Sequence, residues 1–342
     1  MKTFICGLSA LEYWQSLRCV VIPSLSDIRP VERDSSRSGR RQVRSCLLCE
    51  RVPSGAELQT LLERAPCSLA EPLDLLASTD GSAWRTSRRT RHSWRGPLPH
   101  DSAVKIAHGV YVATPEFLYL QLSMRYELEL LTLLGYELCG SYALPVRGHG
   151  GSGSYPCMQA TTAAKLRRYL SSPLLDHVHG IVKARRAASF VTETSNSPRE
   201  SAMIMLLCLP RRCGGYGIEL PSMNVPIDVP TKLERVIGRK WFSIDAYWPA
   251  ARYGVEYDGV EGHTGSANVA RDYVRGNALS AMGITVSTIS AAQLGNPAMF
   301  HVFASQVCRA LGVRLRRPSN ESAWKERSAR LRSAVLSVHR WE

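Results

Sequence analysis

Residues 239–259 read RKWFSIDAYWPAARYGVEYDG, and this stretch decides the fold. From Arg239 to Trp248 the side chains alternate with the two-residue period of a strand. Trp241, Ser243, Asp245 and Tyr247 share one face; Phe242, Ile244, Ala246 and Trp248 share the other. Pro249-Ala250 makes a turn. Arg252 to Asp258 forms a second strand, with Tyr253, Val255 and Tyr257 on one side and Gly254, Glu256 and Asp258 on the other. Gly259 then lets the chain turn away. A hairpin with 248–251 as its loop pairs Tyr247 with Arg252, Asp245 with Gly254 and Ser243 with Glu256. Asp245 and Glu256 then become diagonal neighbours, with Cβ atoms roughly 7–8 Å apart, and Gly254 leaves room beside them.

Three carboxylates gathered this way are unfavourable without a counter-charge, because like charges raise one another's pKa and oppose burial. A Mg²⁺ or Mn²⁺ ion removes the conflict and prefers oxygen ligands. It can polarise a phosphoryl oxygen and lower the pKa of a bound water, which suits phosphodiester hydrolysis. The plainer reading is that these acids face solvent or pair with nearby arginines.

Working outward, Ser197-Pro198-Arg199-Glu200 precedes the apolar run Met203 to Leu209. Ser197 suits a helix cap, Pro198 its first turn, and Glu200 the carboxylate of a capping box. Capping alone accounts for Glu200; a metal role is the sharper alternative. Downstream, His263 can serve as general base or bind phosphate, or stand as an ordinary loop histidine. A helix from Ser266 to Met282 carries Arg271 and Arg275 one turn apart, suited to phosphate, although Asp272 and Arg275 can instead pair with each other. Lys240 and Arg252, at the starts of the two strands, are further candidate nucleic-acid contacts. Ile284 to Ser290 is a third strand. Asn296-Pro297 opens a last helix, with Phe300, Phe303, Val307 and Leu311 on one face.

At these residues the chain resembles the PD-(D/E)XK restriction-endonuclease-like superfamily. More narrowly, it is similar to the bacterial domain of uncharacterised function grouped with very-short-patch repair endonucleases. The matching features are Ser-Pro-Arg-Glu ending at Glu200, Ile-Asp at 244–245, Val-Glu-Tyr-Asp-Gly at 255–259, His263, Arg271-Asp272 and Arg275, across roughly 195–315. The resemblance implies an α/β (α+β) fold with a mixed sheet flanked by helices. It implies Asp245 and Glu256 as metal ligands, Glu200 as an auxiliary acid, and His263 near the scissile phosphate. One position departs: the superfamily places Lys two residues after the second acid, where this chain has Asp258. Water activation then falls to the metal, to His263 or to an arginine.

The rest of the chain is less informative. Its 342 residues suggest about two domains, and 44% hydrophobic content suits a buried core. A net charge of +14 favours polyanionic partners, nucleic acid first. No stretch holds the ~20 apolar residues of a membrane span, and Met1 to Leu17 makes a poor signal peptide because Glu12 interrupts it. The expectation is a cytoplasmic protein whose ten cysteines are reduced thiols. Cys46 and Cys49 form a lone Cys-x-x-Cys, short of the ligands of a structural zinc site.

The expected organisation is a basic, poorly defined region over 1–103, a mainly helical domain over 104–190, the endonuclease-like domain over 191–316, and a basic helix or tail over 317–342. Within the first part, Asp27 to Arg44 is poor in apolar residues. The run Trp84 to Arg95 joins five arginines to two tryptophans, suiting phosphates and bases or a solvated loop. Residues 114–136 predict one helix from Thr114-Pro115 to Gly135, and two more are expected over 161–171 and 176–190. Gly148 to Gly153 is a linker. The region before 190 is also similar, diffusely, to type IV toxin–antitoxin (abortive infection) regulator-like proteins. The function expected is a DNA endonuclease of phage defence or repair, with a homodimer or a toxin or antitoxin protein as candidate partner. The alternative is an inactive nuclease fold acting as a DNA-binding repressor.

Overall fold

The computed structural model describes residues 2–19, 69–77, 84–147, 156–259, 266–315, 319–337 and 340–342. Cys46, Cys49, the Asp27–Arg44 run, the 148–153 linker and His263 lie outside the described residues, as do the side chains of 19, 84, 236 and 266–272. The chain is α+β, with two mixed sheets in two compact units. The first spans 1–191 with 339–342, and the second spans 192–338. Among the described residues, no helix is long and apolar enough to cross a membrane.

In the first unit, β1 (Thr3–Ile5) leads into α1 (Gly7–Cys19). Four strands follow that the sequence reading did not expect: β2 (Leu73–Ala77), β3 (Trp84–Arg85), β4 (Arg89–Ser93) and β5 (Ala103–Ala107). With β6 (Val110–Ala113) they make a six-stranded sheet ordered β3-β4-β2-β1-β6-β5. That sheet runs across the boundary expected at 103/104, so the basic region and the helical region share one core. The arginine-rich run is thus a strand pair at a sheet edge rather than a loop. Trp94 is not available for stacking: it is buried edge-on against Phe117.

The helix expected over 114–136 is two, α2 (Pro115–Leu122) and α3 (Leu128–Leu138). Thr114 caps the first as expected, accepting from the Phe117 amide. Gly135 does not stop the second; it sits inside α3, where an added Cβ would come within 2.6 Å of Val191 Cγ2. Close packing, rather than helix termination, is what requires glycine there. α4 (Ala163–Leu170) and α5 (Ile181–Ala188) complete the unit. Its centre is polar. Fully buried Glu137 accepts from Gln15 Nε2 and Trp341 Nε1, both at 2.6 Å, while buried Arg18 donates to the carbonyls of Glu137, Gly140, Tyr142 and Met158.

The second unit holds the stretch that decided the fold. α6 (Pro198–Cys208) is buried all round from Ala202 to Leu207, the pattern of a central helix. β7 (Ser222–Asp228), α7 (Thr231–Ile237), β8 (Trp241–Trp248), β9 (Tyr253–Asp258), α8 (Ser266–Ala281) and β10 (Thr285–Ser290) follow. The sheet order is β10-β9-β8-β7; β10 runs parallel to β9, and the other pairs are antiparallel. Ala278 and Leu279 of α8 pack with Phe242, Ile244 and Tyr247 of β8. α9 (Ala291–Gly295), α10 (Pro297–Ala310) and α11 (Glu321–Leu336) close the unit, α11 lying along α6. Phe300, Phe303 and Val307 are buried as expected. Of the basic helix or tail expected over 317–342, the helix is what forms, and it packs here. Cys6, Cys139, Cys157, Cys208, Cys213 and Cys308 are buried free thiols.

Candidate functional site

The hairpin register differs by two residues from the one expected. Ala246 pairs with Val255, Tyr247 with Gly254 and Trp248 with Tyr253. A tight turn at Pro249–Ala251, followed by Arg252 in the left-handed region, makes 249–252 the four loop residues, where 248–251 were expected. A two-residue shift preserves which side chains share a face. Continued one step, it sets Asp245 directly across from Glu256. Backbone pairing ends before that step, and the Asp245 carboxylate accepts the Tyr257 amide at 2.9 Å.

The strict alternation of β8 also breaks at Asp245. Tyr247 joins the apolar cluster of Phe242 and Ile244, which alternation had put on the opposite side. At the same point the ladder between β7 and β8 skips the Asn224–Asp245 step while keeping its register. Asn224 has φ of 48°, a left-handed conformation that asparagine tolerates better than most residues. Gly254 consequently faces Ile244, whose Cγ2 lies 2.7 Å from where a glycine Cβ would be. It admits a core side chain and does not hollow out space for an ion, as the sequence reading had it.

Glu200 joins the same neighbourhood. Ser197 caps α6 by accepting the Glu200 amide at 3.1 Å. The Glu200 carboxylate reaches the amide of Asn196, one residue before the cap, at 3.0 Å, and also accepts Asn224 Nδ2 at 2.9 Å. Capping therefore accounts for part of its role. Asn224 completes the junction by donating to the Thr194 carbonyl and accepting from Asn196 Nδ2. It is a residue sequence reasoning missed. The available signal was the alternation of Met223, Val225 and Ile227, with Pro226 marking an edge strand.

The electrostatics follow from this crowding. Burial pushes the Asp245 carboxyl up to about 7, and the charges of Glu200 and Glu256 push the same way; the Tyr257 amide and Arg275 oppose them. Burial likewise raises Glu200, against its hydrogen bonds from Asn224 and Asn196.

Glu256 has a different partner. Arg275, from α8, grips both of its carboxylate oxygens, donates to the Ser243 carbonyl and lies 5.9 Å from the Phe242 ring centre. The pair is three-quarters buried or more, with side chains 26% and 19% exposed. Arg275, expected to contact phosphate, is in this arrangement the counter-charge of an acid. Asp258 is exposed at the end of β9, opposite Ser290. Arg252 caps the C-terminal end of α8 through the carbonyls of Gly283 and Met282. Lys240 is exposed and lines an open cleft with Arg239, Trp241, Phe242, Ser243 and Arg275.

The arrangement thus brings Asp245, Glu256 and Glu200 close enough to perturb one another, and leaves Asp258 at the margin. Among the described residues, no group of three or more His, Cys, Asp or Glu side chains is placed to hold a metal ion. The donor chemistry is hard oxygen, and Mg²⁺ is commonly held through one or two carboxylates, with water and substrate phosphate supplying the rest. Asp245 and Glu256 suit that pattern once Arg275 releases Glu256.

This geometry carries a prediction. Arg275→Met leaves the largely buried Glu256 carboxylate without its counter-charge, which costs stability of about 1–3 kcal/mol. Adding Mn²⁺ will raise the melting temperature of Arg275→Met more than that of the wild type, because the ion replaces the missing cation. Equal Mn²⁺ shifts in the two proteins would show that Arg275 does not stand in for a metal.

Two curated relatives match part of the chain. Both are uncharacterized proteins of Mycobacterium tuberculosis, MT2308 of strain CDC 1551 / Oshkosh and Rv2248 of strain ATCC 25618 / H37Rv. Each is 29% identical over 110 residues, covering 32% of this chain and 36% of the relative. The match thus spans about a third of the length of those relatives. No family model matches the chain, and no solved structure matches it.

Proposed function

We propose that residues 192–338 form a divalent-metal-dependent nuclease that hydrolyses DNA phosphodiesters, in the manner of the PD-(D/E)XK superfamily. The observation that carries this reading is the Asp245 carboxyl, buried beside Glu200 and Glu256 and pushed up to about 7. A fold that only needed a hairpin there would not gather three acids around a strand whose pairing stops. Such a cluster is costly to keep unless a cation relieves it in the working state.

Asp245 and Glu256 would hold the ion, Mg²⁺ or Mn²⁺, which when bound lowers the pKa of a coordinated water and polarises the phosphoryl oxygen. The chain's own residues supply the rest. Glu200, held by Asn224 and Asn196, fixes the negative field that keeps Asp245 responsive to a cation. Arg275, once free of Glu256, is a fork-shaped donor suited to a phosphate. The basic composition brings DNA to the site. Phage defence or repair is the setting this reading favours, in a cytoplasmic protein.

A second reading has its own support. Arg275 already neutralises Glu256, and Asp258 stands where the superfamily has Lys, so the unit could keep the fold and bind DNA as a repressor without cutting it. Incubating the purified chain with supercoiled plasmid and Mg²⁺ or Mn²⁺ separates the two. The nuclease reading expects nicked or linear plasmid that disappears with chelator. Salt-sensitive binding with intact plasmid would overturn it in favour of the repressor.

A further inference from the structure

The cleft at the head of β8 has features that the acid cluster does not use. Its volume is about 450 Å³, and it opens to solvent between Arg239, Lys240, Trp241, Phe242, Ser243 and Arg275. That volume falls within the range of small-ligand sites. Trp241 is 57% exposed while its neighbour Phe242 is buried. Leaving so large an indole in water forgoes burial that would stabilise the fold.

The rim is held in place. α7 ends at Gly238, which takes the left-handed conformation at φ 68°, and the next two residues carry cations into the cleft. The Lys240 carbonyl accepts the Val229 amide at 2.8 Å, pinning that loop to the end of β7. Arg239 and Lys240 are both exposed and make no ion pair among the described residues. None of the lining residues is acidic. Asp228 pairs with Trp241 across the β7–β8 ladder but does not line the cleft. An exposed aromatic face flanked by cations attracts a group that is flat at one end and anionic at the other. Arg275 lines the cleft and also grips Glu256, so an occupant would lie next to the acid cluster.

We infer that this cleft holds one unpaired nucleotide of a single strand, its base stacked on Trp241 and its phosphate between Arg239 and Lys240. This rests on the nuclease reading for its polynucleotide and refines it by naming the strand state. Only an unpaired base offers its face to an indole; bases in a duplex are already stacked on one another.

The test is anisotropy of a fluorescein-labelled oligo-dT of about 12 nucleotides against a labelled duplex of the same length, with the full chain in EDTA. Alanine substitutions at stacking aromatics usually weaken single-strand binding by roughly 5- to 150-fold. Trp241→Ala is expected to raise the single-strand Kd about tenfold, with Trp241→Phe keeping most of the affinity and the duplex Kd changing less than about twofold. Arg239→Ala with Lys240→Ala is expected to flatten the salt dependence by about one charge or slightly more. Unchanged single-strand binding by Trp241→Ala, an equal loss on duplex, or no strand bound by the wild type would overturn the inference. The chelator keeps the outcomes separate. A chain that never cuts DNA can still show the Trp241 effect, and a chain that cuts normally can fail to show it.

Discussion

Asp245→Asn will make the protein more stable at pH 8 and, on the nuclease reading, inactive. The wild-type carboxyl is held at about 7 in the folded chain, far above its ordinary range, chiefly by burial and then by Glu200 and Glu256. The sign of the effect follows from which state binds the proton. Between the unfolded pKa and about 7 the folded state holds a proton that the unfolded state has released, so stability from this group falls as pH rises through that window. Above it the folded chain carries a buried negative charge and the full penalty, on the order of 1–2 kcal/mol after solvent screening.

Asparagine keeps the shape and the oxygen that accepts the Tyr257 amide but carries no charge. A gain of a few degrees in melting temperature is expected at pH 8, shrinking to nothing near pH 4. Metal-dependent cleavage should drop by on the order of 10²-fold or more. A variant equally stable at both pH values would mean that Asp245 is not held in the unfavourable charged state described here. Full cleavage by the variant would remove Asp245 from the site.

Arg18→Met is the change expected to damage the fold most. Arg18 is 2% exposed and donates to three main-chain carbonyls at and just beyond the end of helix α3, those of Glu137, Gly140 and Tyr142, and to that of Met158. It is also the main charge opposing the burial that pushes Glu137 up to about 7. Removing it strands those carbonyls and leaves a fully buried carboxyl held by Gln15, Trp341 and the Leu144 backbone, with no counter-charge from Arg18. Losing one member of such a buried set typically costs about 3–5 kcal/mol. Thermal denaturation of the full chain measures it. The deficit should narrow at pH 5, where Glu137 is protonated in the fold, and narrow again when Glu137→Gln is added. A deficit that ignores both would place the damage in the lost carbonyl bonds alone.

In the second unit α6, the β8–β9 hairpin, α8, β10 and α10 were legible because their periodicity is local, whereas β7, α7 and α9 were not foreseen. Pro297, Ser266 and the alternating β8 and β9 residues each state their element within a few positions. The hairpin register was not legible. It depends on which four residues form the loop, 249–252 rather than 248–251, and Arg252 adopting the left-handed region has no sequence mark. The break in alternation at Asp245 was hidden for a similar reason: it coincides with a left-handed backbone at Asn224, a residue of another strand. The grip of Arg275 on Glu256 was foreseeable only as a choice between partners, since helix α8 offered both Asp272 and a phosphate as alternatives.

The first unit was misread where composition overrode pattern. Five arginines between Arg85 and Arg95 suggest a solvated run, yet β4 pairs with buried Leu73 and Leu75 of β2 and takes its order from them. A sheet edge tolerates charge that a central strand would not.

The account depends on Asp245 and Glu256 accepting one divalent cation in place of Arg275. Calorimetric titration of Mn²⁺ into the full chain at pH 8 tests this most directly. One site is expected in the wild type, weakened as pH falls below about 7 and lost in Asp245→Asn with Glu256→Gln. No heat of binding in the wild type, or the same site undiminished in the double variant, would contradict it.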